Sequence, residues 1–114
     1  MPMNRTPATT LDDVNGLWWP LTTHSKELSL RTSRITDATE SIHRLLTHIP
    51  TREICVQAGG HIGLWPRELA KYFTIVYTFE PDLANFQCLQ QNVTAPNIVM
   101  QQAALGNTTE DVTL

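Results

Sequence analysis
Hydrophobic positions change rhythm along this chain. The first 35 residues are rich in Thr, Ser, Asn and Pro and hold no sustained period, so they read as an N-terminal arm, partly ordered. Its one sticky feature is GLWWPL, residues 16–21. The adjacent Trp18 and Trp19 point in different directions, so one is free to anchor the arm while the other faces a cleft. The plainer expectation is that both cover an exposed hydrophobic edge. Over residues 37–49 the period becomes helical, with Ala38, Ile42, Leu45, Leu46 and Ile49 forming an apolar stripe. Thr36 or Asp37 is placed to cap that helix, and Pro50 ends it.

From residue 54 onward, short continuous apolar runs alternate with amphipathic stretches. Residues 54–58 (ICVQA), 74–79 (TIVYTF) and 97–100 (NIVM) read as strands. Residues 64–73 and 82–91 read as helices, with Pro66 tolerated in an opening turn and Asp82 as a cap. Ile62, Trp65, Leu69 and Phe73 give the first of these helices a buried side. Leu83, Phe86, Leu89 and Val93 do so for the second. Uninterrupted apolar strands joined by such helices predict parallel βαβ units covered on at least one face. The expected class is α/β, with residues 1–35 as the arm and 36–114 as the domain.

Composition narrows the partners. A formal net charge of −3, with the eight Lys and Arg scattered, offers no electrostatic hold on nucleic acid or anionic membrane. No apolar run approaches the roughly 20 residues that span a bilayer. The N-terminus lacks the apolar core of a signal peptide, which makes the cytoplasm the expected compartment. Cys55 and Cys88 have neither CxxC nor metal spacing and read as packing thiols. His43 and His48 lie five apart, on different helix faces, so no metal site is expected.

The chemistry concentrates in "AGGHIG", where the first strand hands over to a helix. Gly59, Gly60 and Gly63 remove side chains at the carboxyl end of a parallel strand, where ligands of α/β sheets sit beside a helix N-terminus. A dinucleotide fingerprint needs glycines at i, i+2 and i+5; ending that frame on Gly63 puts Ala58 first, an imperfect match. Counted by twos, the series is Gln57, Gly59, His61 and Gly63, the spacing of S-adenosylmethionine-dependent methyltransferases. Glu80 ends the second strand about 20 residues further on, placed to accept both hydroxyls of a nucleoside ribose.

Taken together, "VQAGGHIGLWPRELAKYF", "VYTFEPDLANFQCLQQNV" and "NIVMQQAALGN" resemble the front half of the FkbM family of methyltransferases, over roughly residues 52–107. That resemblance implies a Rossmann-like class I fold, S-adenosyl-L-methionine as cofactor, and methyl transfer to a sugar or other hydroxyl oxygen. It implies that Gly59 and Gly63 shape the loop under the methionine part, with Gly60 among the cofactor-binding residues and His61 facing the same end. Glu80 then binds the ribose, Pro81 and Asp82 line the pocket edge, and Ala103 and Ala104 flank the adenine. The family's usual Asp in the first motif position is Gln57 here, which carries no negative charge for the cofactor's amino group. No catalytic base stands out; His61 and His24 are the histidines within reach.

Class I methyltransferases generally build a seven-stranded sheet, against which this sequence offers a βαβαβ half-sheet with a preceding helix. Three expectations stand side by side: the cofactor half of an enzyme completed elsewhere, a non-catalytic nucleoside-binding domain, and an inactive remnant. A nicotinamide-binding βαβ module is the alternative outside the methyltransferases, since Glu80 suits its ribose equally well. An interaction module built on the tryptophan arm rests on composition alone. A half-sheet leaves the first strand with an uncovered flank, which predicts self-association or a complementing chain.

Overall fold
The computed structural model describes residues 9–12, 15–21, 28–111 and 113. Strands β1 (Thr9–Asp12) and β2 (Leu17–Pro20) pair as an antiparallel hairpin, followed by helix α1 (Leu28–Leu46). Then come β3 (Ile54–Ala58), α2 (Leu64–Leu69), β4 (Ile75–Phe79), α3 (Leu83–Asn92) and β5 (Ile98–Gln101). The last three strands form a parallel sheet in the order β3-β4-β5, so the fold is α/β. Among the described residues no helix is long and apolar enough to cross a membrane.

Strand alternation decides where the core lies. Cys55, Val76, Ile98 and Met100 turn to one face, where Ile42 and Leu46 of α1, Leu69 and Phe73 of the α2 region, and Leu89 and Val93 close the main core. The opposite face pairs Val56 with Tyr77 and Tyr77 with Val99. It carries Ile54 at 65% and Val56 at 61% exposure. Parallel sheets are normally covered on both faces, so this bare apolar face is unusual. A second, smaller core joins the hairpin to the body through Leu17, Trp19, Ile62 and Cys88. Burial, assisted by the Asp82 carboxylate, pushes the Cys88 thiol up to about 11, and burial raises Cys55 as well. Both cysteines are unbridged.

Several elements depart from the sequence reading. The helix expected over 37–49 starts at Leu28, so the division expected between residues 35 and 36 falls inside α1. Thr36 therefore lies mid-helix rather than at a cap, its hydroxyl donating to Thr32 O at 3.2 Å. Contacts beyond the helix hold this polar first half: the Arg31 guanidinium lies 5.2 Å from the Trp19 ring centre, and Ile35 packs on the second core. Within the arm, residues 9–12 and 17–20 form the hairpin, and Trp19 is fully buried beneath it. Its indole N–H has no hydrogen-bond partner among the described residues. Trp18 packs at the margin of the same core, so the two rings differ: Trp19 is an interior anchor and Trp18 a partly exposed cover.

Asn92, at the last turn of α3, fastens the hairpin. Its Oδ1 accepts from Trp18 N at 2.6 Å, and its Nδ2 donates to Trp18 O at 2.9 Å and to Ile62 O at 2.8 Å. Helix α2 is shorter than expected and gives way to turns at Ala70, where Asn97 Nδ2 donates to Ala70 O and Phe73 O. Leu45, Trp65 and Leu83, expected on buried faces, are exposed. Each lies at the edge of its helical stripe.

Candidate functional site
The bend after β3 continues the sheet's own bonding. Ala58 pairs with Phe79 at the ends of β3 and β4, and Gly59 N and Gly60 N both donate to Phe79 O at 2.8 Å. Gly63 N then donates to Gly60 O at 2.9 Å, closing the turn into α2. The loop is therefore pinned at the carboxyl end of the sheet before any ligand arrives.

The three glycines have different reasons to be glycine, which corrects the expectation that all three bare their backbone to a ligand. A Cβ on Gly60 would lie 2.5 Å from Thr78 Oγ1, and one on Gly63 would lie 2.7 Å from Val93 Cγ2. Those two positions admit the protein's own β4 and α3. Gly63 also has φ +107°, and Gly59 has φ +76°. Only at Gly59 does the missing Cβ face open space, with nothing within 4 Å.

His61 adopts φ +51°, a left-handed conformation in which Asn, Asp and His are the commonest residues after glycine. That turn aims its N–H at Glu80 Oε1, 2.7 Å away. The second oxygen of Glu80 accepts from Asp82 N at 3.0 Å, and the side chain is 6% exposed. One carboxylate thus ties the glycine bend to the β4–α3 turn. Each oxygen keeps a further lone pair, the acceptor capacity that two vicinal hydroxyls require. Burial lowers the His61 pKa below 6.5; the Glu80 and Asp82 carboxylates oppose this and the Arg34 charge adds to it. His61 is accordingly a neutral ring at pH 7.

Gln57 is committed to the loop. Its Nε2 donates to Ala58 O and Gly59 O, both at 3.0 Å, and its Oε1 accepts from Thr78 Oγ1 at 2.6 Å. Asp82 is the expected cap of α3, accepting from Asn85 N at 3.0 Å.

Two cavities flank Glu80. The first, about 390 Å³, lies between α1 and the bend and is lined by Gly59, Gly60, His61 and Trp65 with Arg34, Asp37 and Ser41 of α1. The second, about 360 Å³, is lined by Pro81, Ala103, Ala104 and the segment that follows them. Glu80 is bonded to His61 of the first and precedes Pro81 of the second. The structure thus gathers the expected residues into two groups around this acid. Glu80 itself, with Gly63, Gln57 and Asp82, lines neither cavity; these residues act as supports.

Sequence reasoning missed Arg34, Ser41 and Thr78, and it assigned Asp37 only to a cap. The available signal was the i, i+3, i+7 spacing of Arg34, Asp37 and Ser41, one polar helix face. It went unread because the helix was started at Asp37. His24 lies outside the described residues. Among the described residues, no cluster of three His, Cys, Asp or Glu side chains is arranged to hold a metal. No family model and no curated protein matches the chain.

Proposed function
We propose that this chain binds S-adenosyl-L-methionine as the cofactor half of a class I methyltransferase of FkbM type, directed at a hydroxyl oxygen. In this reading β3, β4 and β5 are the cofactor-binding strands of a Rossmann-like sheet. The observation that carries it is the buried Glu80 carboxylate at the carboxyl ends of parallel strands, bonded to His61 of one cavity and next to Pro81 of the other, with Gly59 the one glycine of the bend whose missing side chain faces open space.

The residues present fit the group. Glu80 has acceptor capacity for both ribose hydroxyls while it keeps its two backbone bonds. Gly59 admits the tail against bare main chain, and Ala103 and Ala104 offer small exposed walls for a flat base that backbone groups alone read. Bound there, the cofactor supplies an electrophilic methyl on a sulfonium. The protein's part is to hold it rigidly, because such a transfer depends mainly on alignment. A loop already stitched to Phe79 O and Glu80 meets that need without reorganisation. A cytoplasmic setting accords with the two unbridged cysteines.

Calorimetric titration of the purified chain with S-adenosylhomocysteine and, separately, NADH tests this reading. Micromolar binding of the first with none of the second is expected. Preference for NADH replaces the methyltransferase reading with a nicotinamide one. Absence of binding at millimolar ligand leaves an inactive domain.

A further inference from the structure
The cavity between α1 and the bend contains a pair of opposite charges that the nucleoside has no use for. Arg34, Asp37 and Ser41 project from one face of α1 toward Gly59, His61 and Trp65. Neither Arg34 nor Asp37 has an ion-pair or hydrogen-bond partner among the described residues. The two do not satisfy each other although they stand three apart on the helix, a spacing at which such pairs commonly form.

The other polar groups around the bend are already engaged. Gln57 uses its amide on Ala58 O, Gly59 O and Thr78, and being neutral it offers no charge to an ammonium. Glu80 holds His61 N and Asp82 N. The free charges of the cavity are one guanidinium and one carboxylate, both on α1, with the Ser41 hydroxyl beside them accepting from Arg44 Nη2 at 3.3 Å. A guanidinium fork is the preferred partner of a carboxylate, and an aspartate is a matching acceptor for an ammonium. A ligand with both ionic groups on one carbon, an α-amino acid, satisfies the pair. A phosphate satisfies Arg34 but is repelled by Asp37.

We infer that this face of α1 binds the α-amino-acid end of the cofactor, Arg34 taking the carboxylate and Asp37 the ammonium, with Ser41 beside them. The negative charge that Gln57 lacks is thus supplied from a different element. This inference rests on the cofactor reading above and adds to it the element that recognises the tail.

The test compares S-adenosylhomocysteine with 5′-methylthioadenosine, which has the same nucleoside and thioether but no amino-acid tail. Titrations use the full 114-residue chain and the variants Arg34→Gln and Asp37→Asn. Both side chains are exposed, so circular dichroism and melting curves should match those of the parent. Each variant is expected to weaken S-adenosylhomocysteine about tenfold and leave methylthioadenosine unchanged. If the parent binds S-adenosylhomocysteine and the variants bind both ligands as it does, or lose both in parallel, the tail assignment is overturned while the cofactor reading stands. If the parent binds neither ligand, the cofactor reading fails and this inference fails with it.

Discussion

Glu80 and His61, 19 residues apart, are joined by a 2.7 Å hydrogen bond from the backbone N–H of one to the carboxylate of the other. The same carboxylate takes Asp82 N, so Glu80 ties the glycine bend to the β4–α3 turn. Glu80→Gln keeps one acceptor but turns an NH2 group toward the other N–H. A loss of about 1–3 kcal/mol is expected in urea unfolding, as for a buried donor left without its acceptor. An unchanged midpoint would remove Glu80 from its structural role.

The glycines should separate in the same assay. Gly60→Ala drives a methyl against Thr78 Oγ1, and Gly63→Ala drives one against Val93 Cγ2 at positive φ. Each is expected to cost about 1–3 kcal/mol from overpacking, with backbone strain added at Gly63. Thr78→Ala should recover part of the loss at Gly60, giving a double variant less damaged than the sum. Gly59→Ala meets no neighbour and should cost only the strain of its φ, about 1–2 kcal/mol, while weakening S-adenosylhomocysteine. Equal losses at all three sites would contradict the packing assignment.

Acid should loosen the fold through His61. Its pKa is depressed in the folded chain, chiefly by burial, so the unfolded chain binds a proton near pH 6.5 that the folded one resists. The stability contributed by the neutral ring is therefore complete above that value and is lost as pH falls below it. His61→Asn, which tolerates the left-handed backbone, should flatten the decline in melting temperature between about pH 6.5 and 5. A slope identical to the parent's would exclude His61 as its source.

The bare sheet face leads to a prediction about association. Ile54, Val56 and Val99 form an exposed apolar surface beside an edge of β3 that has no strand partner among the described residues. Light scattering should report concentration-dependent self-association, reduced by Val56→Glu. A parent chain that stays monomeric at high concentration would count against it.

Much of this architecture is legible in the sequence. The apolar runs at 54–58, 74–79 and 97–100 are bounded by Gly, Pro and polar residues, and the three parallel strands match them to within a residue. What escapes depends on contacts distant in sequence. The first half of α1 is polar and uncapped in appearance, and it is held by the hairpin through Arg31 and Ile35. Nor does a glycine reveal which way its absent side chain would point. Gly59, Gly60 and Gly63 look equivalent in the chain, and only the positions of Thr78 and Val93 separate them. The charged pair in the α1 cavity is hidden for the same reason, because the cavity exists only once the helix lies over the bend.

Asn92→Ala should release the hairpin. It removes three hydrogen bonds, two of them to the backbone of Trp18. Tryptophan emission is expected to shift red, and stability to fall by about 2–4 kcal/mol at roughly 1 kcal/mol per bond with a penalty for buried groups left unpaired. Emission identical to the parent's would show that the small core alone retains the hairpin.

The clasp between Asn92 and Trp18 spans 74 positions of sequence. The hairpin leaves the ribosome well before its anchor, which follows two of the three parallel strands, and domains are assembled as units as the chain emerges. Trp19 must therefore wait, greasy and unhoused, until the last turn of α3 has formed. Docking of the hairpin is then a late event in assembly, and chaperones would find their most prolonged target in its tryptophans.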